Sequence, residues 1–187
     1  MRGLPGMTVV VPADAPSTHS ATLALAGFDG PAYLRLVRES LPTVTDGSFV
    51  LGRATEVRAG GDLTIVAVGA LVARALEVGL ELHRVGVEAR VLDFASMKPF
   101  DEKALLKAAR ETGAILTMEE QSVVTGLGTI VAATTSGAHP VPVRSLGVPD
   151  VFEEGGDPAT RLDRHGLSKA RAMEEAWELL RLRGKVQ

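Results

Sequence analysis

Cysteine is absent from the 187 residues. Disulfides, thiolate metal sites and a cysteine nucleophile are thereby excluded. Aromatic residues are scarce too: five Phe, one Tyr and one Trp. Alanine, valine and leucine must fill the core instead, and small side chains suit close helix-on-sheet packing. Neither sign of charge dominates, with 20 Lys+Arg against 23 Asp+Glu for a formal net charge of −3. A nucleic-acid binder or a polybasic membrane binder would show a clustered basic excess, so neither partner is expected. No apolar run reaches the ~20 residues of a membrane span. The opening residues Met1 to Gly6 lack the apolar stretch of a secretory signal. A cytoplasmic protein is the expectation. The four histidines, His19, His83, His139 and His165, stand far apart. None pairs with another at metal-ligand spacing, so no metal site is expected.

What is present is hydrophobic patterning of an α/β kind. Met7 to Val11 is a β-branched run ended by Pro12, read as a buried strand. Asp14 can cap a following helix, with Pro16 in its first turn and Ser17, Ala21, Ala24, Leu25 and Phe28 as its stripe. After the turn Asp29-Gly30-Pro31, residues 32–37 read as a second strand, parallel to the first. Residues 39–47 look like a connector. This β-α-β piece is too small to cover its own sheet, so its other strands are expected on another polypeptide or elsewhere in the gene.

A second pattern follows. Residues 49–59 suggest two short strands or a hairpin. Strands are expected at 63–68, 89–94, 114–118 and 141–146, with intervening helices. Leu71, Val72, Ala75, Leu76, Gly79 and Leu80 give the first of these helices its inner face. Asp101 caps the next helix, Ala104, Leu105, Ala108 and Ala109 line it, and Gly113 ends it. A further helix is read near 127–135. A C-terminal helix carries Ala170, Met173, Trp177 and Leu180, with Arg171–Glu175 paired on its wet face. The alternation implies an α/β fold: a mostly parallel open sheet with helices on both faces, preceded by an incomplete β-α-β piece of another α/β domain.

Few residues point to chemistry. Gly126-Leu127-Gly128 opens a helix after a strand, but Val131 stands where the dinucleotide fingerprint needs its third glycine. Close backbone packing at a tight turn is the better reading. Glu119 and Glu120 are adjacent on a strand end, so they face opposite ways and do not form a dyad. Capping or interface roles are expected of them. Arg35 and Arg38 follow a strand, and either an anion grip or an exposed surface pair fits them. No nucleophile-elbow serine occurs. His165 before Gly166 suits a loop cap as well as a catalytic role.

Several stretches, in order, resemble the transketolase family: LPGMTVVVPAD (4–14), DGPAYLRL (29–36), KPFD (98–101), ETGAILTMEE (111–120), GLG (126–128), LGVPDVF (146–152) and HGL (165–167). The resemblance covers nearly the whole chain. It implies a transferase of the pentose phosphate pathway that uses thiamine diphosphate and magnesium to move a two-carbon ketol unit between sugar phosphates. By that resemblance residues 1–40 are the end of a pyrimidine-binding domain, 41–54 a linker, and 55–187 the C-terminal domain. The residues that bind and activate the cofactor belong upstream of Leu4, so no catalytic, cofactor-binding or metal-binding residue is expected on this chain. Arg38, in the segment ending at Leu41-Pro42, matches the family arginine that contacts the substrate phosphate. Gln121 stands where many relatives have histidine, and Thr125 where they often have glycine. The chain is thus expected to be the C-terminal subunit or fragment of a transketolase, inactive alone, serving assembly and phosphate contact. Its partners would be an N-terminal transketolase chain and, in a homo-oligomer, further copies of itself. The alternatives are a non-catalytic dimerisation module, or the matching part of a deoxyxylulose-phosphate synthase or of a 2-oxo-acid dehydrogenase beta chain.

Overall fold

The computed structural model describes residues 1–152 and 155–184. Glu153, Glu154 and residues 185–187, all within the expected second unit, lie outside the described residues. The elements in chain order are β1 (Thr8–Val10), α1 (Ala15–Ala26), β2 (Ala32–Leu34), β3 (Thr55–Arg58), β4 (Leu63–Ala67), α2 (Leu71–Arg84) and β5 (Ala89–Asp93). They continue as β6 (Ser96–Lys98), α3 (Glu102–Thr112), β7 (Ile115–Ser122), α4 (Leu127–Ala138), β8 (Val143–Val148), α5 (Pro158–Arg164) and α6 (Lys169–Leu182).

The strands form two sheets. The larger has the order β3-β5-β4-β7-β8 and is parallel except for the edge strand β3, which runs antiparallel to β5. The smaller has the order β2-β1-β6, with β1 parallel to β2 and antiparallel to β6. The fold is therefore α/β, as the sequence pattern implies.

The alternation of β4 builds the core. Leu63, Ile65 and Ala67 face one side with α2 and α6, where Leu71, Val72, Val78, Ala176 and Leu179 pack on them. Val66 and Val68 face the other side, against Leu105 and Ala108 of α3 and Leu127 and Val131 of α4. Helices thus cover both faces of the larger sheet, as a mainly parallel sheet requires. Phe94 is fully buried and stacks on Phe100 with ring centroids 4.6 Å apart.

Local signals set the helix ends. The Asp14 carboxylate accepts from Ser17 N at 3.0 Å, and Ser17 Oγ returns the contact to Asp14 N, a reciprocal cap. Asp101 accepts from Ala104 N at 3.0 Å, and Gly113 closes α3 at φ 70°, where a side chain would be strained.

Several expectations change. Residues 49–59 hold one strand, β3, because the backbone donors before it go to side chains: Gly52 N to Ser96 Oγ and Ala54 N to Asp101 Oδ2. β6 is an addition, since it pairs only through tertiary contact with β1. In α2 the expected Leu71, Val72, Ala75 and Gly79 are buried, but Leu76 is only partly buried, Leu80 is exposed, and Val78 and Leu82 join the inner face. In α6 the expected Leu180 is buried and Met173 and Trp177 pack half-buried on the core, whereas Ala170 is exposed and Ala172, Ala176 and Leu179 complete the inner face. Its Arg171–Glu175 pair, 2.5 Å apart, has Glu175 buried rather than on the wet face. Ala24 of α1 is likewise exposed, and only Ser17 and Ala21 of that helix are buried.

Candidate functional site

The C-terminal ends of β2 and β7 meet. Arg35 continues the β1–β2 pairing by donating its backbone N–H to Val10 O at 2.9 Å. Its guanidinium Nη1 lies 3.0 Å from Glu120 Oε2, and both side chains are largely shielded. This ion pair ties the first β-α-β piece to the larger sheet. Beside it opens a cavity of about 220 Å³. Arg38, itself exposed, reaches this cavity from the segment after β2. Arg161 and His165 reach it from α5, and Glu39 and Glu120 supply the acidic part of the lining. Three arginines and two glutamates line it, and Arg35 is paired with Glu120. The exposed Arg38 carries a guanidinium fork, which matches the oxygens of a tetrahedral anion.

Sequence reasoning singles out Arg35 and Arg38, and the structure brings both to one cavity. It places His165 at the C-terminal cap of α5 and also on the cavity wall. Arg161 escapes the sequence reading. The available signal is a cap at Asp157, whose carboxylate accepts from Thr160 N at 3.1 Å. That cap starts a helix in which positions 161 and 165 share a face.

Glu119 and Glu120 point opposite ways. Glu119 is fully buried and accepts from Leu127 N at 2.6 Å and Gly128 N at 2.9 Å, capping α4. Burial raises its pKa to about 6, against the pull of those two donors and of Arg2. The glycines of this loop are packing glycines: a Cβ on Gly128 would sit 2.4 Å from Ser145 Oγ. Arg2 closes the loop from outside, donating to Thr125 O and to Thr129 Oγ1 at 3.0 Å each.

Arg35 also lines a larger cavity of about 460 Å³. Gln121 lines it, and its amide has buried atoms without a partner among the described residues. Val9, Val11 and Met97 give it apolar walls.

Among the described residues no three His, Asp or Glu side chains stand together as metal ligands. The glycine-flanked N-terminus of α4, where a diphosphate would find free backbone donors, is filled by the Glu119 carboxylate. Leu127 N and Gly128 N at that terminus therefore donate to Glu119 and not to a diphosphate. Among the described residues no helix is long and apolar enough to cross a membrane.

The family described as transketolase, C-terminal domain, matches residues 52–171. The chain is 42% identical over 184 residues to one of the subunits of an apulose-4-phosphate transketolase from Phocaeicola vulgatus, covering 97% of this chain and 59% of that protein. It is 40% identical over 181 residues to the 6-deoxy-6-sulfo-D-fructose transketolase subunit SqwH of Clostridium sp. (strain MSTE9), covering 96% and 56%. A solved structure described as a split gene transketolase, inactive beta4 tetramer, superposes with a TM-score of 0.93 at 43% identity. That match covers 97% of this chain and 60% of the other. The chain thus spans less than two thirds of the length of these relatives.

Proposed function

The chain belongs to the transketolase C-terminal domain family, and on that premise we propose that it is the C-terminal subunit or section of a thiamine-diphosphate-dependent transketolase. The reaction is the transfer of a two-carbon ketol unit between sugars that carry a terminal anionic group, sugar phosphates first among them. In this reading residues 1–40 end a pyrimidine-binding domain, 41–54 link, and 55–187 form the C-terminal domain. A partner chain or section supplies the cofactor and magnesium sites, and the assembly is cytoplasmic and oligomeric. The pentose phosphate interconversions are the pathway this chemistry serves.

The observation that carries the reading is the exposed Arg38 on the wall of the cavity beside the Arg35–Glu120 pair. A phosphate held there leaves the rest of the sugar outside this chain, where a partner can act on it. In this division of labour the chain binds the charged end of the substrate and organises the assembly, and the α4 N-terminus, filled by the Glu119 carboxylate, serves packing. The names of the relatives support the chemistry, since they include a sugar phosphate and a sulfonated sugar among transketolase substrates.

Calorimetry of the purified chain with thiamine diphosphate and magnesium tests this directly. No binding is expected alone, and ketol transfer from xylulose 5-phosphate to ribose 5-phosphate is expected only after the partner chain is added. Micromolar cofactor binding or turnover by the chain alone overturns the reading.

A further inference from the structure

We infer that Glu120 is a positioning residue: through its ion pair with Arg35 it fixes the segment that carries Arg38 against the larger sheet. This rests on the proposed role of Arg38 and adds to it a residue of the other unit, which acts on the substrate only through that segment.

Three observations carry it. First, the segment has no ladder of its own. The pairing of β2 with β1 ends at Leu34 opposite Val10, and the bond from Arg35 N–H to Val10 O is the last along it. Among the described residues, residues 36–43 make no backbone–backbone hydrogen bond. The place of Arg38 is therefore set from the two ends of this stretch. Second, each end is held by a carboxylate. At the far end Asp14 accepts from Val44 N at 2.9 Å and from Thr45 N at 2.8 Å. At the near end Glu120 Oε2 lies 3.0 Å from Nη1 of Arg35, three positions before Arg38. Third, Glu120 is a rigid post. It stands between Met118 and Ser122 of β7, which pair with Leu146 and Val148 of β8. The neighbouring Glu119 carboxylate is locked onto Leu127 N and Gly128 N. With 16% of the Glu120 side chain exposed and 28% of Arg35, the pair is shielded from water more than a surface pair is.

Removal of the Glu120 charge has two effects of opposite sign. Glu120 and Arg35 line the same cavity as Arg38. Loss of the carboxylate and release of Arg35 make that wall more cationic, which tightens anion binding. Loss of the anchor lets the segment move and spreads Arg38 over positions that miss the oxyanion, which weakens binding. The second effect prevails. A fork-to-oxyanion contact is lost on displacement by about 1 Å, whereas the added charge lies beside an exposed arginine and is screened by water and salt.

Two measurements test this. In the purified chain, amide hydrogen exchange of residues 36–38 should quicken roughly threefold to tenfold in Glu120→Gln, with exchange in β4 unchanged. Glu81→Gln, which breaks an ion pair with Arg84 on α2, should leave residues 36–38 as in the wild type. Unchanged exchange at 36–38 in Glu120→Gln, or quickening throughout the chain, overturns the inference. In the assembled enzyme, Glu120→Gln should raise KM for a phosphorylated ketose by a similar factor, with little change in kcat and little change for an unphosphorylated ketose. Added to Arg38→Ala it should raise that KM no further, because the anchor acts through Arg38. A lowered KM, an equal loss with both ketoses, or an undiminished effect in the Arg38→Ala background overturns the inference and leaves the proposed function standing. If exchange at 36–38 quickens as expected but the wild-type assembly transfers no ketol unit, the anchor stands and the proposed function falls.

Discussion

The carboxylate of Glu119 lies where a side chain on Gly126 would have to begin. A Cβ at Gly126 would sit 1.9 Å from Glu119 Oε2. The carboxylate has nowhere to retreat, because it is fully buried and held by Leu127 N and Gly128 N. Gly126→Ala should therefore lower stability by about 2–3 kcal/mol, the upper range for forcing atoms into a packed site. Gly137, near the end of α4, has nothing within 4 Å of its would-be Cβ. Gly137→Ala should be neutral or stabilising by up to ~1 kcal/mol. Thermal unfolding of the two variants decides it, and equal melting temperatures would contradict the close contact.

Asp93 makes stability fall with rising pH. It is buried at the end of β5, and its Oδ1 has no partner among the described residues. Burial, with the nearby Asp14 charge added, pushes its pKa up to about 7, although the Ala95 N–H draws it down. A carboxyl raised in the folded state stabilises most below its unfolded value near 4, and that stability is lost as pH climbs towards 7. Asp14 behaves oppositely. Burial acts to raise its pKa, but donors from Ser17, Val44 and Thr45 prevail and hold it at about 2. Its contribution is present above pH ~4 and fails only in stronger acid. Asp93→Asn should flatten the profile between pH 4 and 7 and gain on the order of 2–4 kcal/mol over the wild type at pH 8. Denaturant unfolding at a series of pH values measures this, and parallel profiles would refute it.

Arg38→Ala, in the assembled enzyme, should raise KM for phosphorylated sugars by roughly tenfold to a hundredfold, equivalent to about 1.5–3 kcal/mol for a hydrogen bond to a charged group. Unphosphorylated acceptors should change far less. Steady-state kinetics with both substrate types is the check, and equal losses would assign Arg38 to folding instead.

Self-association should follow from the open edge of β2. That strand has β1 on one side only, and Leu23, Tyr33 and Leu36 are exposed on the same β-α-β piece. An unpaired edge beside apolar side chains invites another copy. Sedimentation velocity should find dimers or larger species at micromolar concentration, shifting to monomer in Tyr33→Lys/Leu36→Lys. A clean wild-type monomer across the dilution series would end this expectation.

The strands and helices of the larger sheet are legible because each carries its own period. β4 is a continuous apolar run, Asp101 and Gly113 mark both ends of α3, and Asp14 marks the start of α1. The opposed directions of Glu119 and Glu120 are also legible, since they follow from strand geometry alone. What escapes is set by partners distant in sequence. Ser96 to Lys98 become a strand only because Val9 and Val10 offer an edge. The burial of Leu82 rather than Leu80 depends on how α2 is rotated on the sheet. At the site, Arg38 is visible through its segment, whereas Arg161 needs the cavity, because a short helix gives no sign in its sequence of what it will face.

The placement of β6 separates the chain's boundary in sequence from its boundary in space. A cut in the connector at 39–47 divides the polypeptide after β2, yet β1 stays hydrogen-bonded to β6 and the Asp14 carboxylate still grips Val44 and Thr45. The nicked halves would travel together through a gel-filtration column. A shortened protein that begins at residue 52, where the family match starts, would instead expose the edge of β6 that β1 now covers. For anyone preparing fragments, residues 1–40 are therefore best kept as part of the folding unit.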